Sequence, residues 1–153
     1  MLLYLVQHAE AKKEEEDPKR SLSTKGIQDI KKIADFLAKL NVRADKIYHS
    51  GKTRAFQTAV ILTEYLEAGK GISETNGLSP LDDPQIWFER INNLKEDTIL
   101  VGHLPHLSKL SSLLLFGDTE RHVIDFKMAG VVCLKRFENN WAVDWMIIPE
   151  VVK

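Results

Sequence analysis

The chain has 153 residues, 44% of them hydrophobic, enough for a single compact domain with a sizeable core. Its 21 Lys and Arg against 22 Asp and Glu leave a formal charge of -1, which argues against nucleic acid as a partner, because neutralising phosphates along a helix needs a basic face. The single cysteine, Cys133, excludes an intrachain disulfide, and within Val131-Val132-Cys133-Leu134 it reads as a packed core thiol. The apolar stretch at the N-terminus has no basic region before it and runs about six residues. No segment nears the ~20 residues that cross a bilayer, so the expectation is a cytoplasmic protein with no membrane partner.

Leu2-Leu3-Tyr4-Leu5-Val6 is a short continuous apolar run, the pattern of a strand buried on both faces of a parallel sheet. Beyond a charged loop, Ser23 or Thr24 can cap a helix whose apolar positions Ile27, Ile30, Ile33, Ala34, Leu37 and Leu40 recur at three and four. Lys46 to Ser50 is the next strand candidate, and Thr53 to Leu66 a second helix with Ala55, Ala59, Leu62 and Leu66 as its inner stripe. Ala68 to Pro84 reads as loop with a short strand near Ile72, followed by a helix from Gln85 to Leu94. Thr98 to Val101 is a further strand ended by Gly102, and a helix from about His106 to Leu115 is broken by Gly117-Asp118. Val131 to Phe137 and Trp141 to Ile148 resemble an antiparallel hairpin around Glu138-Asn139-Asn140. Alternating strands and helices predict a three-layer α/β/α sandwich, its central sheet mostly parallel with an antiparallel edge, over one domain spanning residues 1–153.

In open α/β sheets ligands gather beyond the carboxyl ends of the strands. Gln7-His8 follows the first strand, Ser50-Gly51-Lys52-Thr53-Arg54 the second, and Gly102-His103 the fourth. Two histidines, an arginine and several loop N–H groups are thereby expected on one rim. A guanidinium binds phosphate oxygens bidentately, helix N-terminal amides add partial positive charge, and an imidazole can be a nucleophile. Such a set suits a phosphoryl group.

The same segments resemble a known family. LYLVQHAEA is similar to the first motif of the histidine phosphatase superfamily, a strand ending in Arg-His-Gly. SGKTRAFQTA is similar to its Ser-x-x-x-Arg-x-x-Gln-Thr motif, and LVGHLP to its second-histidine motif. The short chain and the RSLSTKG segment look most like the SixA-type phosphohistidine phosphatases of that superfamily, whose fold is phosphoglycerate mutase-like. The resemblance implies His8 as nucleophile, Arg54 as a phosphate-binding arginine, and His103 as the histidine that contacts the phosphoryl oxygens and stabilises the transition state. Gln7 stands where the family usually has arginine and Ala9 where it usually has glycine, so one cationic phosphate ligand is missing. Arg20 matches an arginine of the subgroup and could supply that charge from the neighbouring loop.

The implied mechanism is a two-step transfer through a phosphohistidine on His8, with no metal or other cofactor. Larger members protonate the leaving group with a carboxylic acid, for which Asp82, Asp83 and Glu10 are the candidates here. Imidazole protonates near pH 6.5 and leaves more readily than an alkoxide, so the lack of an obvious acid leans toward a histidine-phosphorylated protein as substrate. A phosphomonoesterase acting on a small phosphorylated metabolite, and a phosphoprotein-binding module without turnover, remain as alternatives, the latter motivated by Gln7. His103-x-x-His106 lacks a third ligand at matching spacing for a metal, and helix-start capping accounts for His106. His49 and His122 carry no motif, Trp87, Trp141 and Trp145 read as packing, and Lys12 to Arg20 reads as a solvated loop on the pocket rim.

Overall fold

The computed structural model describes all 153 residues. In chain order it forms β1 (Leu2–Gln7), α1 (Thr24–Lys39), β2 (Lys46–His49), α2 (Thr53–Tyr65), β3 (Ile72–Glu74), α3 (Pro84–Asn93), β4 (Thr98–Gly102), α4 (His106–Phe116), β5 (Val131–Phe137) and β6 (Asn140–Ile147), closed by a 3-10 turn at Pro149–Val151. The six strands make one sheet in the order β3-β2-β4-β1-β5-β6. β1, β2, β3 and β4 run parallel, while β5 is antiparallel to β1 and β6 to β5. The expected mostly parallel sheet with an antiparallel edge is therefore observed.

Strand side chains alternate across the pleat, and β1 divides its residues accordingly between two cores. Tyr4 and Val6 join α1 and α2 through Ile30, Ile33, Leu37, Ala59 and Leu62. Leu3 and Leu5 join α3 and α4 through Trp87, Ile91, Leu107 and Leu110. Two helices thus cover each face of the parallel sheet, giving the three layers. Cys133 lies wholly buried in the first of these cores, where burial raises its thiol pKa to about 12.

The stripe expected on α1 is narrower than its periodicity suggests. Ile27 is more than one-third exposed, and Leu40, which caps the helix, is 59% exposed. Gly26 takes the inward place at the first turn, where a Cβ would lie 2.0 Å from the Glu10 carbonyl oxygen. The loop after β1 runs directly beneath this turn: Ser23 N–H donates to the Glu10 carbonyl at 2.9 Å, and Ser23 Oγ caps the helix by accepting from Gly26 N–H at 3.0 Å. Asp83 caps α3 in the same manner with Pro84 in the first turn, which starts that helix one residue earlier than expected. Gly117, at φ 81°, ends α4 in the left-handed conformation that glycine adopts without a Cβ clash. No helix is long and apolar enough to cross a membrane.

Candidate active site

The parallel register places Gln7 of β1 opposite Gly102 of β4, and His49 of β2 opposite Val101, so the three following segments leave the sheet side by side. His8 continues the ladder with its N–H donated to the Gly102 carbonyl at 3.0 Å. The His8 and His103 rings end 5.0 Å apart, centroid to centroid, inclined at 50°. His8 is 8% exposed and His103 1%.

His8 Nδ1 lies 2.7 Å from the Ala9 carbonyl oxygen. A carbonyl only accepts, so Nδ1 carries the proton and Nε2 is left as the bare nitrogen. Burial, together with the positive charges of Arg54 and Arg20, pushes the His8 pKa down from 6.5 to about 4. Burial, the neighbouring His8 and the charges of Arg54 and Lys52 push His103 to about 3. Both rings are neutral at physiological pH, and His8 Nε2 keeps an available lone pair.

Arg54 occupies the first turn of α2. Its Nε is buried and unpartnered, as are His103 Nδ1 and Gln7 Oε1. Burial and the nearby Arg20 charge lower the Arg54 pKa. Arg20, at φ 52°, donates from Nε to the Lys12 carbonyl at 3.1 Å. Arg54 thus acts electrostatically on both histidines, and Arg20 on His8 and Arg54. An arginine with an unpartnered Nε–H and a second cation near a bare imidazole nitrogen is an arrangement suited to an oxyanion whose phosphorus the nitrogen can attack.

The model of the histidine phosphatase superfamily (branch 1) matches residues 3–80, half of the chain and the half that holds His8, Arg20 and Arg54. The chain belongs to that superfamily. A similar protein is an uncharacterized one from Picosynechococcus sp. (strain ATCC 27264 / PCC 7002 / PR-6), 34% identical over 142 residues, covering 88% of this chain and 85% of that protein. Among solved structures, the protein histidine phosphatase SixA complexed with tungstate superposes with a TM-score of 0.85 at 23% identity, covering 100% of both chains. Phosphoserine phosphatase (a His-to-Ala mutant) from Entamoeba histolytica, in complex with phosphoserine, gives 0.69 at 16% identity, covering 95% of both. These likenesses confirm the phosphoglycerate mutase-like fold.

The three candidate acids of this histidine phosphatase have different surroundings. Glu10 is tied back to α1, its carboxylate accepting from Ser23 Oγ at 2.9 Å. Asp83 is exposed and spends an oxygen on the Gln85 N–H. Asp82 accepts from Ser79 N–H at 2.9 Å and lines a polar cleft of about 420 Å³ with Ser50, Glu74, Thr75, Asn76 and Ser79. Ser50 also lies 2.7 Å from His103 Nε2, so of the three candidates Asp82 shares a cleft, which Glu74 also lines, with a neighbour of the histidine pair.

The capping role expected for His106 is corrected. Pro105 stands at the cap with no side-chain bond, and the His106 ring is wholly buried with the Gly77 backbone close to it. A histidine one residue inside the helix turns into the protein rather than back over the helix start. Burial lowers its pKa against the opposing charges of Asp82 and Asp83. No group of three or more His, Cys, Asp or Glu side chains is placed to share a metal ion. His49 accepts from Gly51 N–H at 3.0 Å, and Trp87 and Trp145 pack against Tyr48 and Tyr4.

Three polar residues of the site carry roles that sequence reasoning did not assign. Ser50 meets His103; Thr58 Oγ1 accepts from Ala9 N–H at 3.0 Å; Gln57 Oε1 accepts from Leu22 N–H at 2.7 Å. The last two hold both ends of the loop after β1 against α2. Their spacing of three and four from Arg54 puts all three on one side of that helix, a signal the sequence does contain.

Proposed function

We propose that this phosphatase removes phosphate from a histidine-phosphorylated protein in the cytoplasm, the whole chain acting as one domain. His8 Nε2 attacks phosphorus in line; the P–N bond to the substrate imidazole breaks, and its electron pair returns to that imidazole, which takes up a proton. Arg54, His103 and Gln7, with Arg20 from the loop, hold the phosphoryl oxygens. Water then attacks the phosphohistidine, releasing inorganic phosphate and restoring neutral His8.

The observation that carries this reading is the tautomer of His8 set by the Ala9 carbonyl, which leaves Nε2 bare on a ring beside His103 and within the field of two arginines. The choice of an N–P substrate rests on the acids: Glu10 and Asp83 are engaged in capping contacts, and an imidazole leaving group needs such an acid least. Asp82 in the cleft beside Ser50 favours the second reading, a phosphomonoesterase for a small metabolite with Asp82 as acid.

The test offers the protein a histidine-phosphorylated protein, a phosphoserine peptide and an aryl phosphate side by side, with His8→Ala as control. The expected result is preference for the first and a brief acid-labile, base-stable phosphoenzyme that His8→Ala lacks. Preference for the phosphoserine peptide, lost in Asp82→Asn, would establish the second reading. Binding without turnover of any of the three would leave a phosphoprotein-binding module.

A further inference from the structure

We propose that Ser50 is a positioning residue that donates its hydroxyl proton to His103 Nε2 and so presents the opposite ring nitrogen to the phosphoryl group as an N–H donor. This rests on the reading that His103 faces the phosphoryl oxygens.

The argument is one of donors and acceptors. Ser50 Oγ lies 2.7 Å from His103 Nε2 and also accepts the Lys52 N–H at 3.3 Å. With that amide directed at its oxygen, the hydroxyl keeps its single proton free for the imidazole. A neutral imidazole carries one proton. If Nε2 accepts, the proton is on Nδ1, and Nδ1 is the atom of His103 that is buried with no partner. An orphaned N–H in a wholly buried ring costs free energy in the empty site, and an arriving oxyanion satisfies it. The alternative tautomer would turn a lone pair toward the oxyanion and repel it.

The Ser50–Lys52 turn is built for this contact. Gly51 sits at φ 89°, where an added Cβ would fall 1.8 Å from the Glu74 carboxylate, and this conformation brings the Lys52 N–H back to Ser50 Oγ. His8 and His103 then share the Nδ1–H tautomer but use opposite nitrogens. The Ala9 carbonyl holds the His8 proton and frees Nε2 to attack; Ser50 occupies His103 Nε2 and frees Nδ1–H to bind.

The experiment combines ring-nitrogen NMR of ¹⁵N-histidine-labelled protein, free of phosphate at neutral pH, with aryl phosphate hydrolysis by wild type, Ser50→Ala, Ser50→Thr and the same changes in a His103→Ala background. We expect wild-type His103 to be protonated at Nδ1 and bare at Nε2, and Ser50→Ala to raise the Nε2–H population. The turnover number should fall about tenfold in Ser50→Ala with KM little changed, the worth of one hydrogen bond, and Ser50→Thr should restore most of it. In His103→Ala the Ser50 change should have no further effect. A wild-type His103 protonated at Nε2, or a Ser50→Ala loss that persists without His103, would overturn the assignment. Failure of the phosphatase site itself is read separately, as hydrolysis that does not depend on His8, because the NMR measurement needs no turnover.

Discussion

Thr58 Oγ1 accepts the Ala9 N–H at 3.0 Å and donates to the Arg54 carbonyl at 2.7 Å, so one wholly buried hydroxyl ties the residue after His8 to the helical turn that bears Arg54. His8 and Arg54 are thereby held relative to each other through a neutral side chain that hydrogen-bonds to backbone groups beside them rather than to the ring or the guanidinium.

Thr58→Val keeps the shape and leaves the Ala9 N–H buried without an acceptor. We expect it to cost about 1–3 kcal/mol of folding stability. At temperatures where the variant stays folded, kcat/KM should still fall, because the His8 segment is no longer pinned to α2. Urea unfolding midpoints and steady-state kinetics check the two effects, and Thr58→Ser should restore both. An unchanged midpoint would show that the Ala9 amide finds another partner.

The two histidines set the acid limb of stability. Burial and the charges of Arg54 and Arg20 hold His8 at about 4, and burial with the charges of His8, Arg54 and Lys52 holds His103 at about 3. In the unfolded chain both titrate near 6.5. Between these values the unfolded state binds more protons than the native one, so stability falls as pH drops from about 6.5 toward 3, and above about 6.5 the pair adds no pH dependence. Unfolding midpoints across this range, compared with His8→Ala and His103→Ala, should show a shallower acid slope in each variant. With an aryl phosphate, the enzyme's contribution to kcat/KM should stay level from neutral pH to about pH 5, since His8 remains unprotonated.

Gln7 stands where the family resemblance implies a cationic ligand, and its Oε1 is buried and unpartnered. Charge-assisted bonds are about twice as strong as neutral ones, so phosphate affinity is expected to be lower than an arginine would give by about 1–2 kcal/mol, or roughly ten- to thirtyfold. Arg20 acts on both His8 and Arg54 and can recover part of this. Gln7→Arg should tighten inhibition by vanadate or inorganic phosphate, and Arg20→Ala should weaken it more in wild type than in Gln7→Arg. The double-mutant cycle measures this coupling directly. Strictly additive effects would make Arg20 a surface charge.

The sequence by itself determined the layering and which polar residues follow the strand ends on one rim. Apolar runs such as Leu2–Val6 and Thr98–Val101 end abruptly in His8 and His103, and strand and helix periods differ enough to place Arg54 at a helix start. It also announced the hairpin and the cap of α1. What it did not reveal were the polar contacts that turn those residues into a site. Ser50 and His103 are 53 residues apart and Thr58 and Ala9 are 49 apart, so although the motif that carries Ser50 and Thr58 is visible in the sequence, their partners are not. The inward place of Gly26 was likewise invisible, because it depends on the Glu10 carbonyl passing beneath α1. Periodicity reports which face of an element is buried, whereas hydrogen-bond partners depend on strand register and helix crossing, and only the assembled sheet decides those.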